Sequence, residues 1–174
     1  GMSKDAWNRF GDDGYCHYQV IEPGFKYNMT DMAAALGLSQ LDTISINHDR
    51  RRLIFKHYLD AFAHLPIQLP SLPPSEHRHG FHLFTIVLDP ERVSISRDEL
   101  IQTLHEQGIG TGVHYMGIHL HPYYQQTYSL KPSDFPHANY ISQNTLSIPL
   151  SPKLSDEDVS YICDTVSNIF KPTS

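Results

Sequence analysis

The sequence predicts an α+β fold, a small sandwich of helices on a short sheet. Three observations carry that reading. Apolar residues recur at helical spacing between Thr30 and Pro66 and again after Ser155. Two runs rich in aromatic and β-branched residues, FHLFTIVL (81–88) and TLSIPL (145–150), read as strands. The strands are few and short, in the order helix, strand, helix, strand, strand, helix, so helices can cover a face of one small sheet.

Residues 1–28 read as an irregular arm. Gly11, Gly14, Pro23 and Gly24 interrupt it, and only Tyr18–Ile21 looks strand-like. The arm carries Trp7, Phe10, Tyr15, Tyr18, Phe25 and Tyr27. An arm with so little periodicity cannot bury those rings itself, so it is expected to lie on this domain or on a partner. Thr30 then suits an N-cap, with Asp31 in the first turn of a long helix. Ala34, Leu38 and Leu41 share a face, with Met32 and Leu36 beside them. The stripe resumes at Ile54, Tyr58 and Phe62, flanked by Phe55 and Leu59. The polar middle, SINHDRRR, leaves two possibilities: one long helix, or a break near Ser45–Asp49. Pro66 ends it.

A proline-rich connector (66–80) leads to the strand at 81–88, which Asp89-Pro90 stops. Ser96 and Glu99 form a capping box that opens a helix with Leu100, Ile101 and Leu104 inward. Gly108 supplies the left-handed residue after it. GTGVHY (110–115) fits a second strand, and 116–136 reads as an irregular loop rich in His, Tyr and Pro. A short helix near His137–Gln143, the strand at 145–150 and a last helix from Ser155 follow. Val159, Ile162, Val166 and Ile169 form the inner face of that last helix.

Composition bounds the function. The 174 residues suffice for one core, and a net charge of −6 with histidine neutral argues against nucleic acid or an anionic membrane as main partner. No apolar stretch is long enough to span a bilayer, and nothing at the start resembles a secretory leader, so a cytoplasmic location is expected. Cys16 and Cys163 form no metal or disulfide motif and read as two reduced thiols.

The sequence contains no GxGxxG, P-loop, GxSxG or HExxH. Histidine is in excess, at 12 residues, and clusters twice: His77, His79 and His82, then His114, His119 and His121. The first cluster lies in a proline-rich loop without cysteine support, so no metal site is expected. The stretch GTGVHYMGIHLHPYY (110–124) combines imidazoles with tyrosine rings. That set suits a polar ligand with a flat ring, or equally an aromatic loop at a subunit interface. Arg50, Arg51 and Arg52 point about 100° apart on a helix and read as a solvated face, with a phosphate clamp as the lesser reading.

Taken in order, GFKYNMTDMAAALGLSQLDTI (24–44), the following RR, HLF (82–84), RDELIQTLHEQGIGTGVHY (97–115), HPYY (121–124) and TLSIPLSPKLSDEDVSYI (145–162) resemble the C-terminal half of the DegT/StrS family. These are pyridoxal-phosphate-dependent aminotransferases acting on nucleotide-linked keto-sugars, and the resemblance runs from about Lys4 onward. It implies the small C-terminal domain of a type I aminotransferase fold, a short antiparallel sheet packed with helices. An arm at 1–28 would precede the domain at 29–174, with the large cofactor-binding domain absent. It also implies a homodimer.

The family's Schiff-base lysine lies upstream of the segment resembled by Met2–Trp7, as does the aspartate that pairs with the pyridine nitrogen. None of Lys4, Lys26, Lys56, Lys131, Lys153 and Lys171 occupies that lysine's position. The resemblance therefore implies no catalytic residue and no covalently bound pyridoxal phosphate in this chain. Asn28, in KYN, matches the asparagine that reaches the cofactor phosphate of the neighbouring subunit; its alternative role is an Asx cap. His114 and Tyr115 match a region near the sugar-nucleotide site and are expected substrate contacts.

The expected function is therefore that of a C-terminal fragment, inactive by itself, of an enzyme that moves an amino group from an amino acid, glutamate foremost, to a nucleotide-linked keto-sugar. The alternatives are a stand-alone, non-catalytic dimerisation or binding module with the same fold, and a metal-binding protein using the histidine clusters.

Overall fold

The computed structural model describes residues 1–3 and 19–171. The chain divides into two compact units, Gly1–Thr43 and Ile44–Ser174. Trp7, Phe10, Tyr15, Cys16 and Tyr18 lie outside the described residues.

In the first unit Met2 bridges Val20, with Ser3 N–H donating to Gln19 O and Ile21 N–H to Gly1 O, both at 2.8 Å. The strand-like run expected at Tyr18–Ile21 is thus, among the described residues, one bridge. Helix α1 (Asp31–Phe62) begins in this unit, and Thr30 Oγ1 accepts the Ala33 N–H at 3.3 Å. Asp31 sits in the first turn, where the helix dipole favours a carboxylate. The 32 residues run unbroken through SINHDRRR, which resolves the choice left by that polar segment. Met32, Leu36, Leu38 and Leu41, the stripe expected on the first part of this helix, are each 61–79% exposed.

The second unit holds the core. From α1 it takes Ile54, Phe55, Tyr58 and Phe62, all fully buried. These pack on a three-stranded antiparallel sheet of β1 (Ile67–Gln68), β2 (Phe84–Leu88) and β3 (Thr145–Ile148), in the order β1-β2-β3. Ile67 opposes Leu88, Phe84 opposes Ile148, and Val87 opposes Thr145. Along β2 the side-chain period of two puts Phe84, Ile86 and Leu88 in the core. Phe84 meets Phe55 and Tyr58 edge-on at ring-centroid distances of 4.9 and 5.1 Å, an arrangement the ring quadrupoles favour.

Strand β2 starts three residues later than expected. Phe81 takes a left-handed φ of 44°, and its N–H donates to His79 Nδ1 at 3.1 Å, so a turn occupies the first part of the run.

Helix α2 (Arg97–Glu106) follows the predicted box: Ser96 N–H donates to Glu99 Oε2 at 2.8 Å and Glu99 N–H to Ser96 Oγ at 3.3 Å. A third bond, from Ser96 Oγ–H to Glu99 Oε2 at 2.7 Å, holds the Glu99 carboxyl below its usual range, with the Ser96 backbone bond second. The helix stops in a Schellman motif. Gly108, at φ 73°, donates to His105 O, and Ile109 N–H donates to Leu104 O, both at 2.9 Å.

The expected loop at 116–136 is largely helical. It contains 3₁₀ turns at Ile118–Leu120 and Pro132–Asp134 and helix α3 (Pro122–Tyr128). Proline at the first helical position starts α3, the second 3₁₀ turn and α4 (Pro136–Asn144), because its missing N–H is no loss there. Helix α5 (Asp156–Ile169) is capped by Ser155 and buries Val159, Ile162, Cys163 and Val166.

Arg50 corrects the solvated-face reading of the arginine run. It donates to Asp156 Oδ1 at 2.7 Å and Leu154 O at 2.6 Å, tying α1 to the start of α5. Arg52 pairs locally with Asp49. No helix among the described residues is long and apolar enough to cross a membrane.

Candidate functional site

The loop singled out by the sequence hangs from β3. In place of the strand expected over 110–115, a single antiparallel bridge joins Gly112 to Ser147. Gly112 N–H donates to Ser147 O at 3.0 Å, and Ser147 N–H donates to Gly112 O at 2.7 Å. Gly110 and Gly112 bring no side chains to pair across the sheet, so the ladder does not extend. Gly112 also makes room for a ring, since a Cβ there would lie 2.6 Å from His114 Cε1. The His114 imidazole folds back over that glycine, and its Nδ1 lies 2.9 Å from Ser147 Oγ.

A second anchor follows. Gly117 N–H donates to Oγ of the buried Ser142, on α4, at 2.8 Å. His119 is buried beneath Gly117, its ring 5.2 Å from that of Phe135, and its Nε2 has no partner among the described residues. The segment 113–116 is thus held at both ends, and it presents Tyr115 at 73% exposure. The Tyr115 ring stands perpendicular to that of His114, centroids 4.9 Å apart.

An open cleft of about 330 Å³ is lined by His82, Thr111, Gly112, His114, Ser147 and Pro149, among others. Val113 and Met116 face a different cavity of about 360 Å³, with Arg97, Leu120, Ser142 and Gln143. The first cleft offers imidazoles and the Thr111 hydroxyl, which can bond a polar ligand.

Of the residues predicted to form a site, His114 lines this cleft, whereas Tyr115, its neighbour in sequence, is not among the lining residues. The structure adds His82, which the sequence placed in a metal-like cluster. Among the described residues no three His, Cys, Asp or Glu side chains gather as metal ligands. His79 instead spends its Nδ1 on Phe81 N–H, and its carbonyl lies 2.8 Å from His48 Nε2.

Asn28 belongs to the other unit, is exposed, and makes no hydrogen bond to another described residue. Thr30, not Asn28, caps α1. Ser142 and Ser147 carried no signal of their own in the sequence. The only hint was a hydroxyl within the apolar run TLSIPL.

The residue stretches that build this loop also place the chain among known proteins. Residues 1–167 match the model of the DegT/DnrJ/EryC1/StrS aminotransferase family. The chain belongs to that family. It is 40% identical over 172 residues to the spore coat polysaccharide biosynthesis protein SpsC of Bacillus subtilis, and 37% identical over 169 residues to a Methanocaldococcus jannaschii protein. Those matches cover 98% and 97% of this chain but 44% of each relative.

Among solved structures, a putative sugar aminotransferase of Streptococcus pneumoniae, Spr1654, in its PMP-form, superposes with a TM-score of 0.77 at 31% identity, covering 97% of this chain and 40% of that one. Helicobacter pylori PseC, an aminotransferase involved in the biosynthesis of pseudoaminic acid, gives 0.75 at 25% identity, covering 88% and 41%. This DegT-family chain therefore spans under half the length of these relatives. Its antiparallel sheet and flanking helices match the corresponding part of their fold.

Pyridoxal phosphate needs an amine to receive it and donors for its phosphate. The described residues do not assemble such a cradle by themselves. Lys26, Lys56, Lys131, Lys153 and Lys171 are all exposed, and none lines either cavity.

Proposed function

We propose that this chain forms the carboxy-terminal part of a pyridoxal-phosphate-dependent aminotransferase, which moves an amino group from glutamate to a nucleotide-linked keto-sugar. The observation that carries this reading is the family match over residues 1–167, together with relatives matched along nearly all of this chain. The names of those relatives, in sugar amination and coat polysaccharide synthesis, support the substrate class.

In this reading the cofactor supplies the electron sink. The residues of this chain hold and orient. His114 and Tyr115 contact the nucleotide-sugar at the His82–His114 cleft. Asn28 donates its amide to the cofactor phosphate of a neighbouring subunit in a cytoplasmic homodimer. The exposure of Asn28, Phe25 and Tyr27 is consistent with a surface that meets another polypeptide. In this reading the chain by itself is inactive.

The test is a chimera that joins the part of SpsC preceding the match to this chain. We expect glutamate-dependent amination of a keto-sugar nucleotide. Asn28→Ala is expected to weaken cofactor binding ten- to a hundred-fold, the effect of losing a charge-assisted bond of about 1.5–3 kcal/mol. His114→Gln is expected to raise KM for the nucleotide-sugar without changing cofactor affinity. A folded, cofactor-loaded chimera that aminates no keto-sugar nucleotide overturns the reading.

A further inference from the structure

The cleft contains a buried hydroxyl that the proposed function does not use. Ser147 is 4% exposed, and both its backbone groups are spent on Gly112. Its Oγ has one hydrogen-bond partner among the described residues, His114 Nδ1 at 2.9 Å. A hydroxyl carries one proton to give and lone pairs to receive, and a neutral imidazole carries its proton on one nitrogen or the other.

The two ways of making this bond are not equivalent. If Nδ1 carries the proton and donates to Oγ, the serine hydroxyl proton is left buried without an acceptor. An unpaired buried donor bears its full desolvation cost. If Oγ–H donates to Nδ1, both groups are satisfied. The imidazole proton then sits on Nε2, which has no partner among the described residues.

The ring has little freedom to escape the choice. It lies against Gly112, where a Cβ would come within 2.6 Å of Cε1 and 3.4 Å of Nδ1 and Nε2. The peptide of Gly112 is fixed by its two bonds to Ser147. The same β3 residue therefore sets both the backbone under the ring and the nitrogen it bonds.

We propose that Ser147 is a positioning residue that holds His114 as its Nε2–H tautomer, making it a hydrogen-bond donor to an oxygen acceptor of the ligand in the His82–His114 cleft. The ligand class this favours presents phosphoryl, carbonyl or hydroxyl oxygens there. A ligand presenting an N–H at that point would meet another donor and be rejected. The inference about the ligand rests on the reading of His114 as a substrate contact. The inference about the tautomer does not.

The experiment is nitrogen-15 spectroscopy of the imidazoles in the full chain at about pH 9, where imidazoles are neutral, with His114→Gln used to assign the His114 signals. The expected wild-type spectrum has a protonated Nε2 and an unprotonated Nδ1 that is shifted by an accepted hydrogen bond. Ser147→Ala is expected to move Nδ1 to the position of a free unprotonated ring nitrogen, and Ser147→Thr, which keeps the hydroxyl, is expected to restore the wild-type position. A wild-type spectrum with the proton on Nδ1 overturns the proposal without any variant having to fold. A Ser147→Ala spectrum with Nδ1 unmoved overturns it as well. In the chimera, an unchanged KM in His114→Gln alongside the expected tautomer refutes the substrate role of His114 while leaving Ser147's hold on the ring intact.

Discussion

Helix α1 is two helices in one. Its last four turns and its first four carry similar apolar patterns and sit on one continuous backbone, yet their surroundings differ. Ile54, Phe55, Tyr58 and Phe62 are at most 2% exposed, wedged among Phe84 and the sheet. Met32, Leu36, Leu38 and Leu41 are 61–79% exposed. An amphipathic repeat thus records that a face is to be buried, not what buries it. Most helical stability comes from tertiary packing of the apolar face, not from intrinsic propensity. The first half has the Thr30 cap and its backbone bonds; the second half has those bonds and a core.

The largest expected contrast is in hydrogen exchange of the isolated chain. Amides of residues 36–44 are expected to open at a cost near ~0–1 kcal/mol. Those of residues 55–62 are expected to open only with global unfolding, on the order of 5 kcal/mol or more. Equal protection in both halves would break the comparison. Protection of 36–44 that appears only in the SpsC chimera would sharpen it, by showing that added polypeptide covers that face.

Side-chain truncation is the next largest effect. Phe84→Ala removes a fully buried ring in contact with Phe55, Tyr58 and Phe62, and is expected to cost about 3–5 kcal/mol in urea denaturation. Leu38→Ala, on the exposed half, is expected to stay within about 0.5 kcal/mol. Similar losses for the two would mean that the exposed half is packed in solution.

The smallest effect is alkaline. Burial, with help from the Asp164 charge, pushes the Cys163 thiol from 9.0 up to about 11. Tyr58 is also raised, by burial first, and its hydroxyl donates to Pro149 O at 3.0 Å. An acid whose folded pKa lies above its unfolded value favours the folded state while protonated. The Cys163 contribution is therefore complete below about pH 9 and is lost as pH rises toward about 11. With solvent screening it amounts to on the order of 1 kcal/mol. Cys163→Ala is expected to flatten that limb in urea midpoints measured across the window. An unchanged slope would place the alkaline loss elsewhere.

What the sequence disclosed follows the strength of local chemistry. Ser96 with Glu99, Gly108 and Ser155 each satisfy backbone groups within a few residues, so α2 and α5 could be placed from pattern alone. The core faces of β2 and α5 followed from periods of two and 3.6. Where the deciding contact is distant, the pattern was silent. Strand β1 has two residues among prolines and exists because Ile67 meets Leu88.

His, Tyr and Pro dominate 116–136, so the sequence there reads as loop although it forms turns and a short helix. Proline at the first helical position was the signal that would have found them. The site was half legible. His114 and Tyr115 stood out as chemistry-bearing residues, whereas the hold that Ser147 and Gly112 keep on His114 depends on a pairing 35 residues apart in sequence.

In the proposed function this chain contributes contacts to a pyridoxal-phosphate site but not the amine that receives the cofactor. Incubating the isolated chain with pyridoxal phosphate, reducing with borohydride and measuring the intact mass tests it directly. Scattered, substoichiometric labelling of the lysines is expected. A stoichiometric adduct at one of the six lysines would contradict it.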